Sequence, residues 1–177
     1  MADQSIPLFD ASGVRIVDRA DAAAVTVDEC ERARTRLWVS MFMVGLTAGD
    51  DRRLSVRFVL DAVVRAAARG VDVRVLLDDF RLGDERARLN APAAGYLADR
   101  GVAVRVWVGS TGRASHSKLL IGDDTVLCGS GNWTPGGFDR NGELALRVAS
   151  RALADDLGRR FLQGWVEAER WATDDRR

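Results

Sequence analysis

The stretch HSKLLIGDDTVLCGSGN, residues 116–132, contains the only histidine of the chain, His116, and its only lysine, Lys118. Arginine fills the other 25 of the 26 basic positions, so the lysine is an exception in this chain. A compact ammonium with freely rotating donors suits a crowded site beside a tetrahedral anion better than a planar guanidinium does. The pair therefore indicates a site that acts on an anionic group.

The residues around this pair predict how further polar groups reach it. Side chains at positions i and i+2 of a strand share a face, so a strand over 117–121 directs His116 and Lys118 to the same side. The Gly-Asp-Asp sequence at 122–124 is typical of a hairpin, and the returning strand over 125–128 brings Ser130 and Asn132 near His116. An imidazole, an ammonium, a hydroxyl and a carboxamide around one point suit a phosphate group.

Glu143 stands at the start of the next predicted strand. There it can accept the second ring N–H of His116, which would fix the tautomer and raise the basicity of the ring. The alternative for Glu143 is an exposed carboxylate paired with Arg140 or Arg147.

Other residues near the motif are candidates for the border of a cleft. Trp133 could stack on a substrate or close the hydrophobic core, as could Phe138, and the sequence leaves both alternatives open. Arg113 and Arg140 are close enough in sequence to line the cleft, with solvated surface positions as the alternative.

Alternating helices and strands must position this motif. Residues 37–44, 71–77 and 102–108 are apolar runs typical of buried strands, and residues 54–69 and roughly 84–100 have helical spacing. Gly70 and Gly101 follow the two helices, and Pro92 and Gly95 are expected to disturb the middle of the second. The repeated unit of helix, glycine and strand predicts parallel strands joined through covering helices.

The second half of the chain has shorter strands, with a third over 142–148, and ends in a helical stripe at Leu153, Leu157, Phe161 and Trp165. We expect that stripe to face the core. The predicted fold class is α/β, with a mixed, mostly parallel β-sheet flanked by helices on both faces.

Composition limits the class of protein. The 177 residues fit a single domain, residues 1–177, and the 47% apolar and 29% charged residues are typical of a soluble globular protein. Acidic and basic residues balance at 26 each, which argues against a dedicated polyanion-binding protein. The sequence has no signal-like N-terminal run and no apolar stretch of ~18 residues, so we expect a cytoplasmic protein without stable membrane insertion. Cys30 and Cys128 lack metal-ligand spacing, and no metal or cofactor is indicated.

The ordered set His116, Lys118, Asp123 and Gly129-Ser130-x-Asn132 resembles the HxKxxxxD…GSxN signature of the phospholipase D superfamily. Glu143 also stands where that family tends to have an acidic residue. The interval between Asp123 and Gly129 is one residue shorter than usual, which makes Asp124 an adjacent candidate for the acidic position. The resemblance implies the phospholipase D-like fold.

The resemblance also implies metal-independent cleavage of a phosphodiester in two steps, through a phosphohistidine. One histidine attacks phosphorus, and a second acts as general acid and then general base. Because this chain has one histidine, we expect a homodimer in which both copies of His116 share one site on the two-fold axis. Lys118 and Asn132 would hold the non-bridging oxygens, with support from Ser130, while Glu143 orients the imidazole and Asp123 fixes the hairpin turn.

The substrate class stays open between two enzymes and a binding protein. Neutral overall charge weakens the case for a nuclease, whose affinity depends on phosphate contacts, and the lack of an anchor weakens the case for a phospholipase or phosphatidyl transferase. A non-catalytic module that binds nucleic acid or lipid is the third alternative. The intact set of His116, Lys118, Ser130, Asn132 and Glu143 argues against that last interpretation.

Overall fold

The computed structural model describes residues 9–46, 55–79, 85–108 and 115–171. In these residues one β-sheet is combined with five helices. The elements in chain order are β1 Gly13–Asp18, α1 Arg19–Arg32, β2 Arg36–Met41, α2 Ser55–Ala68, β3 Asp72–Asp79, α3 Glu85–Ala98, β4 Ala103–Val108, β5 Lys118–Ile121, β6 Thr125–Gly129, α4 Pro135–Asp139, β7 Leu144–Ala149, α5 Arg151–Glu167 and β8 Glu169–Arg170.

The sheet is mixed, with the strand order β1-β7-β6-β5-β2-β3-β4-β8. The predicted α/β class and mixed sheet are confirmed, but the expectation of a mostly parallel sheet is wrong. Among the described strands only the pairs β2–β3 and β3–β4 are parallel, and the other neighbours are antiparallel. The three residues between β5 and β6 can only reverse the chain, because a parallel connection needs a long crossover.

Helices cover both faces of the sheet, as predicted. Along β2, Leu37, Val39 and Met41 belong to one core, whereas Trp38 belongs to the other. The first core includes buried residues of α1, α2 and α3, and the second is formed with α5. This division follows from the period of two along a strand, which sends neighbouring side chains to opposite faces.

The two predicted helix–glycine–strand units are present as α2–β3 and α3–β4. Gly70 and Gly101 end the helices with φ of 85° and 81°, a left-handed conformation that glycine adopts without a side-chain penalty. The expected disturbance at Pro92 is absent, since α3 continues through it. Packing accounts for this difference, because Ala93, Ala94 and Leu97 are fully buried there and tertiary contacts outweigh propensity.

The predicted C-terminal stripe faces the second core, as expected. Phe161 and Trp165 are buried, and the Phe161 ring stacks on Trp38 with 5.4 Å between centroids. Leu153 and Leu157 pack against the same cluster. No helix in the described ranges is long and apolar enough to cross a membrane.

Candidate active site

The ammonium of Lys118 lies beside the imidazole of His116, at the point where β5 begins next to the end of β2. Lys118 Nζ is 2.9 Å from His116 Nδ1 and 3.3 Å from Nε2, and it donates to the His116 backbone oxygen at 3.0 Å. The two side chains project together, as the i and i+2 spacing predicts. Burial lowers the pKa of Lys118, and the charge of Glu143 opposes that shift. Because an ammonium has only donors, its hydrogen bond to the ring needs an unprotonated ring nitrogen, and the tautomer of His116 sets which of the two accepts.

An aromatic ring that the sequence analysis did not select supports this pair. The Phe42 ring centroid is 4.3 Å from that of His116, and Lys118 Nζ is 4.8 Å from the Phe42 centroid. Phe42 itself is buried and directly follows β2. Its place at the carboxyl end of a parallel strand is the signal that could have found it, because sites in α/β folds concentrate at such ends.

The loop that carries Ser130 and Asn132 is held close to neighbouring backbone by glycines. A Cβ on Gly129 would lie 2.7 Å from the Cα of Ala145 on β7, which is closer than such atoms approach. A Cβ on Gly137, in α4, would collide with the backbone oxygen of Asn132. Only glycine therefore permits this close packing, which fixes the loop between β6 and α4.

Glu143 contacts Ser130 rather than the imidazole predicted from the sequence. The Ser130 hydroxyl donates to Glu143 Oε2 at 2.5 Å, and Asn141 Nδ2 donates to Oε1 at 3.2 Å. The backbone N–H of Leu144 donates to Ser130 Oγ at 3.2 Å and completes this network. In the single chain the ring nitrogens of His116 are met by Lys118, so an orienting contact from Glu143 to His116 stays a prediction.

Asn132 offers a buried polar atom to the site. Its Oδ1 is buried and has no hydrogen-bond partner among the described residues. Burying such an atom without a partner is costly, and turning the amide by half a turn would place the Nδ2 donor at the same point. Asn132 can therefore present either an acceptor or a donor.

Asp123 does not join the other candidate residues, which corrects its place in the predicted catalytic set. It follows β5, whereas His116 precedes that strand, so the two residues lie at opposite ends of a strand about 10 Å long. Its carboxylate accepts the backbone N–H groups of residues 34–36 and the Thr35 hydroxyl. Asp123 was expected to fix the hairpin by accepting N–H groups of the turn itself, whereas the observed donors belong to residues 34–36, at the start of β2.

Burial alone would raise the pKa of Asp123. The hydrogen bonds from the Thr35 hydroxyl and the three backbone N–H groups outweigh it and lower the pKa. This carboxylate stays ionised in the fold and joins the hairpin turn to the strand beside it.

Three of the remaining candidates for the cleft border, Trp133, Phe138 and Arg140, are not among the residues that line the open cleft. Trp133 and Phe138 are buried members of the first core, so the core-closing alternative is the one observed. Arg140 is exposed at the end of α4, where its backbone N–H bonds Gly136. Arg113 lies outside the described residues.

Two cavities meet at Lys118. An open cleft of about 570 Å³ is lined by His116, Lys118, Cys128 and the start of β7. A smaller cavity of about 50 Å³ reaches inward past Lys118, Asn132 and Glu143 toward apolar core residues. Arg19 lines the inner cavity and was not selected from the sequence, where its position at the start of α1 gives no local signal.

The family model described as "Cardiolipin synthase, PLD-like domain" matches residues 27–165, a range that contains the residues from His116 to Glu143. The chain belongs to the phospholipase D superfamily. The signature residues from His116 to Asn132 lie within the matched range.

Relatives within the superfamily include a phospholipase D from Rickettsia felis, which is 28% identical over 114 residues. That match covers 64% of this chain and 52% of the relative, so the chain spans about half the length of this curated protein. Among solved structures, the phospholipase D family member Nuc from Salmonella typhimurium has a TM-score of 0.76 at 21% identity, with 91% of this chain and 99% of that chain covered. NucT from Helicobacter pylori has a TM-score of 0.69 at 14% identity, with coverage of 90% and 99%. At these identities the two structures establish the phospholipase D fold alone.

Proposed function

We propose that this protein is a phosphodiesterase that cleaves its substrate through a phosphohistidine at a site shared by two copies of the chain. The observation that carries the proposal is the contact of Lys118 Nζ with the His116 ring, 2.9 Å from Nδ1, at the mouth of a cleft. Ser130 and Asn132 add a hydroxyl and an amide beside the same strands. Together these groups supply a nucleophile and donors for the charge that builds on phosphoryl oxygens.

The first step forms one bond and breaks one bond at phosphorus. A ring nitrogen of His116 attacks phosphorus, the bond from phosphorus to the leaving oxygen breaks, and that oxygen takes a proton from a second imidazole. In the second step the same imidazole takes a proton from water as the water oxygen attacks phosphorus. The bond from nitrogen to phosphorus then breaks, and both rings return to their starting states.

This sequence of steps needs two imidazoles, and the chain has one histidine. One ring cannot hold the phosphoryl group and protonate the leaving oxygen at the same time. A two-fold dimer supplies the second His116 together with a second Lys118, and its interface uses the same surface of both copies.

An exposed apolar strip beside the cleft supports this dimer. Val14 and Ile16 of β1 are 62% and 63% exposed, and Leu144 and Leu146 of β7 are 52% and 38% exposed. Ile16 and Leu146 are paired in register, and Leu144 and Leu146 also line the cleft that contains His116. Helix α1 packs against β1 and β7 on one face of the sheet, whereas α5 packs mainly against β2, β4, β5 and β6 on the other, so the strip lies beyond α5 on that second face. A second copy seated on the strip, defined as Val14, Ile16, Leu144 and Leu146, brings its own His116 toward the same cleft.

The substrate class is tested between phospholipid and nucleic acid. Purified protein is assayed with EDTA present on bis(p-nitrophenyl) phosphate, on single- and double-stranded DNA, on RNA, and on vesicles of phosphatidylcholine or cardiolipin. We expect turnover that survives chelation. Loss of turnover on chelation contradicts the metal-independent mechanism, and binding without any product supports the non-catalytic alternative.

The shared site has its own test, in which wild-type chains are mixed with His116→Ala chains and allowed to exchange. Activity should follow the square of the wild-type fraction, because only dimers with two intact rings complete both steps. A linear dependence would mean that each chain works alone and would refute the shared site.

A further inference from the structure

Asn90 is a buried amide on α3 that has no place in the signature motif. Its Oδ1 accepts the backbone N–H of Val44 at 2.8 Å, and its Nδ2 donates to the backbone oxygens of Phe42 at 2.9 Å and Asp78 at 2.7 Å. Burying an amide is costly unless its donors and acceptor form hydrogen bonds, and those of Asn90 bond the backbone of other elements. Asn90 therefore ties α3 to the segment 42–45 after β2 and to the end of β3.

The segment 42–45 contacts His116 and the residue that follows it. The backbone N–H of Phe42 donates to the Ser117 oxygen at 2.8 Å, which continues the pairing of β2 with β5 toward the histidine. The Phe42 ring lies under the imidazole with 4.3 Å between centroids. Any shift of this segment moves the surface on which the ring of His116 rests.

The same segment supports the loop that carries Asn132. The Trp133 backbone N–H donates to the Met43 oxygen at 3.1 Å, and the Gly45 N–H donates to the Trp133 oxygen at 2.8 Å. These bonds form a parallel bridge between Val44 and Trp133, directly after Asn132. Residues 42–45 thus connect the two halves of the site.

The third hydrogen-bond partner of Asn90 is Asp78, which contacts the residue that precedes His116. Asp78 is buried at the end of β3, and its carboxylate accepts the backbone N–H of Ser115, the residue before His116. Asn90 donates to the backbone oxygen of Asp78. It therefore fixes the position of Asp78 relative to the segment 42–45. The side chain of Asn90 therefore contacts both the segment 42–45 and Asp78, the two parts of the fold that hold His116.

We infer that Asn90 is a positioning residue for the site, acting through Phe42, Val44 and Asp78 to fix the imidazole of His116 against the Asn132 loop. The inference rests on the proposed function for its catalytic consequence. A displacement of about 1 Å at a reacting group costs up to about 100-fold in rate, so a remote amide that fixes the ring affects turnover without touching substrate.

The test uses the fact that His116 is the only histidine of the chain. Full-length protein labelled with ¹⁵N-histidine gives one set of imidazole signals, which report the ring directly. In Asn90→Ala we expect the ring protons of His116 to lose the ring-current shift from Phe42 and move toward the values of a free histidine. On bis(p-nitrophenyl) phosphate, kcat should fall by about 10- to 100-fold while KM stays within about 2-fold.

Thr125→Val is the matched control. The Thr125 hydroxyl donates to the buried carboxylate of Glu29 at 2.5 Å, at the end of β6 away from the motif loop, so this variant also removes a buried hydrogen bond. It should lower stability while the signals of His116 and kcat stay at wild-type values. If Asn90→Ala does not fold, Phe42→Leu takes its place, because it keeps apolar volume under the ring and should still lower kcat by about 10-fold.

The inference is overturned if folded Asn90→Ala matches wild type in both the signals of His116 and kcat, or, where that variant does not fold, if Phe42→Leu keeps wild-type kcat. If no chain hydrolyses any phosphodiester, the proposed function fails. The histidine signals of Asn90→Ala against Thr125→Val, or the imidazole ¹⁵N signals of His116 in Phe42→Leu against Thr125→Val, then decide the positioning role by themselves.

Discussion

The hydroxyl of Ser130 donates to the carboxylate of Glu143 at 2.5 Å, between the loop after β6 and the residue before β7. This bond gives Glu143 a role inside the chain that the motif spacing did not indicate. It holds Ser130 beside Asn132 and keeps a negative charge near Lys118, whose pKa the charge of Glu143 raises against the larger effect of burial. The carboxylate therefore fixes the loop and favours the protonated form of Lys118.

Ser130→Ala should lower kcat/KM by about 10-fold, because the loop loses its bond to Glu143 and holds Asn132 less firmly beside the phosphoryl oxygens. Ser12→Ala is the control, since the Ser12 hydroxyl is exposed and bonds only the backbone oxygen of Ala149 in the described structure. Steady-state kinetics of both variants on bis(p-nitrophenyl) phosphate check this. Equal activity of the two variants would contradict the role of Ser130.

Lys118 should give the enzyme an alkaline limb below the ordinary lysine value of 10.5, because burial lowers its pKa. The ammonium is present at low pH and is lost as pH rises through the lowered pKa, so kcat/KM of the free enzyme falls there. Glu143→Gln removes the charge that opposes the shift, and the limb should move to still lower pH. A pH profile of kcat/KM measures the alkaline limb of wild type and of Glu143→Gln. A limb at the same pH in both proteins would contradict the coupling of Glu143 to Lys118.

Leu146→Asp should break the dimer, because the strip at β1 and β7 then places a carboxylate in an apolar interface. A buried unpaired charge costs at least about 3 kcal/mol, which raises the dissociation constant by roughly 100-fold. Val166→Asp is the control, since Val166 is 75% exposed on α5 and lies outside the strip. Sedimentation and activity are measured together, and a Leu146→Asp chain that stays dimeric or fully active would refute the interface.

Asp123→Ala should lower the free energy of unfolding by about 2–4 kcal/mol, because the carboxylate accepts backbone N–H groups of residues 34–36. Folded Asp123→Ala should keep the kcat/KM of wild type, because these bonds lie away from the site. The pKa of Asp123 is lowered in the fold, so its contribution is present above the ordinary value of 3.8 and is lost as pH falls through the lowered value. Denaturant unfolding at neutral and acid pH checks both points. A loss of activity as large as that of His116→Ala would restore Asp123 to the catalytic set.

Much of the fold followed from local patterns. Helices α2 and α3 with their terminal glycines, strands β2, β3 and β4, the hairpin of β5 and β6, and the apolar stripe of α5 were all predicted, because periodicity and turn residues act over a few positions. Strand β1 and helix α1 were not predicted. The expectation that most strand pairs are parallel was wrong, since the direction of a pair depends on which segments meet and not on either segment alone.

The sequence by itself determined the donor set and the pairing of His116 with Lys118, since two side chains two residues apart on an extended segment must share a side. Only the tertiary structure decided that Glu143 meets Ser130, that Asp123 binds the start of β2, and that Phe42 and Asn90 support the imidazole. The reason is physical. These contacts join residues 13 to 87 positions apart, and strand order and packing fix their distances, whereas local sequence carries no record of them.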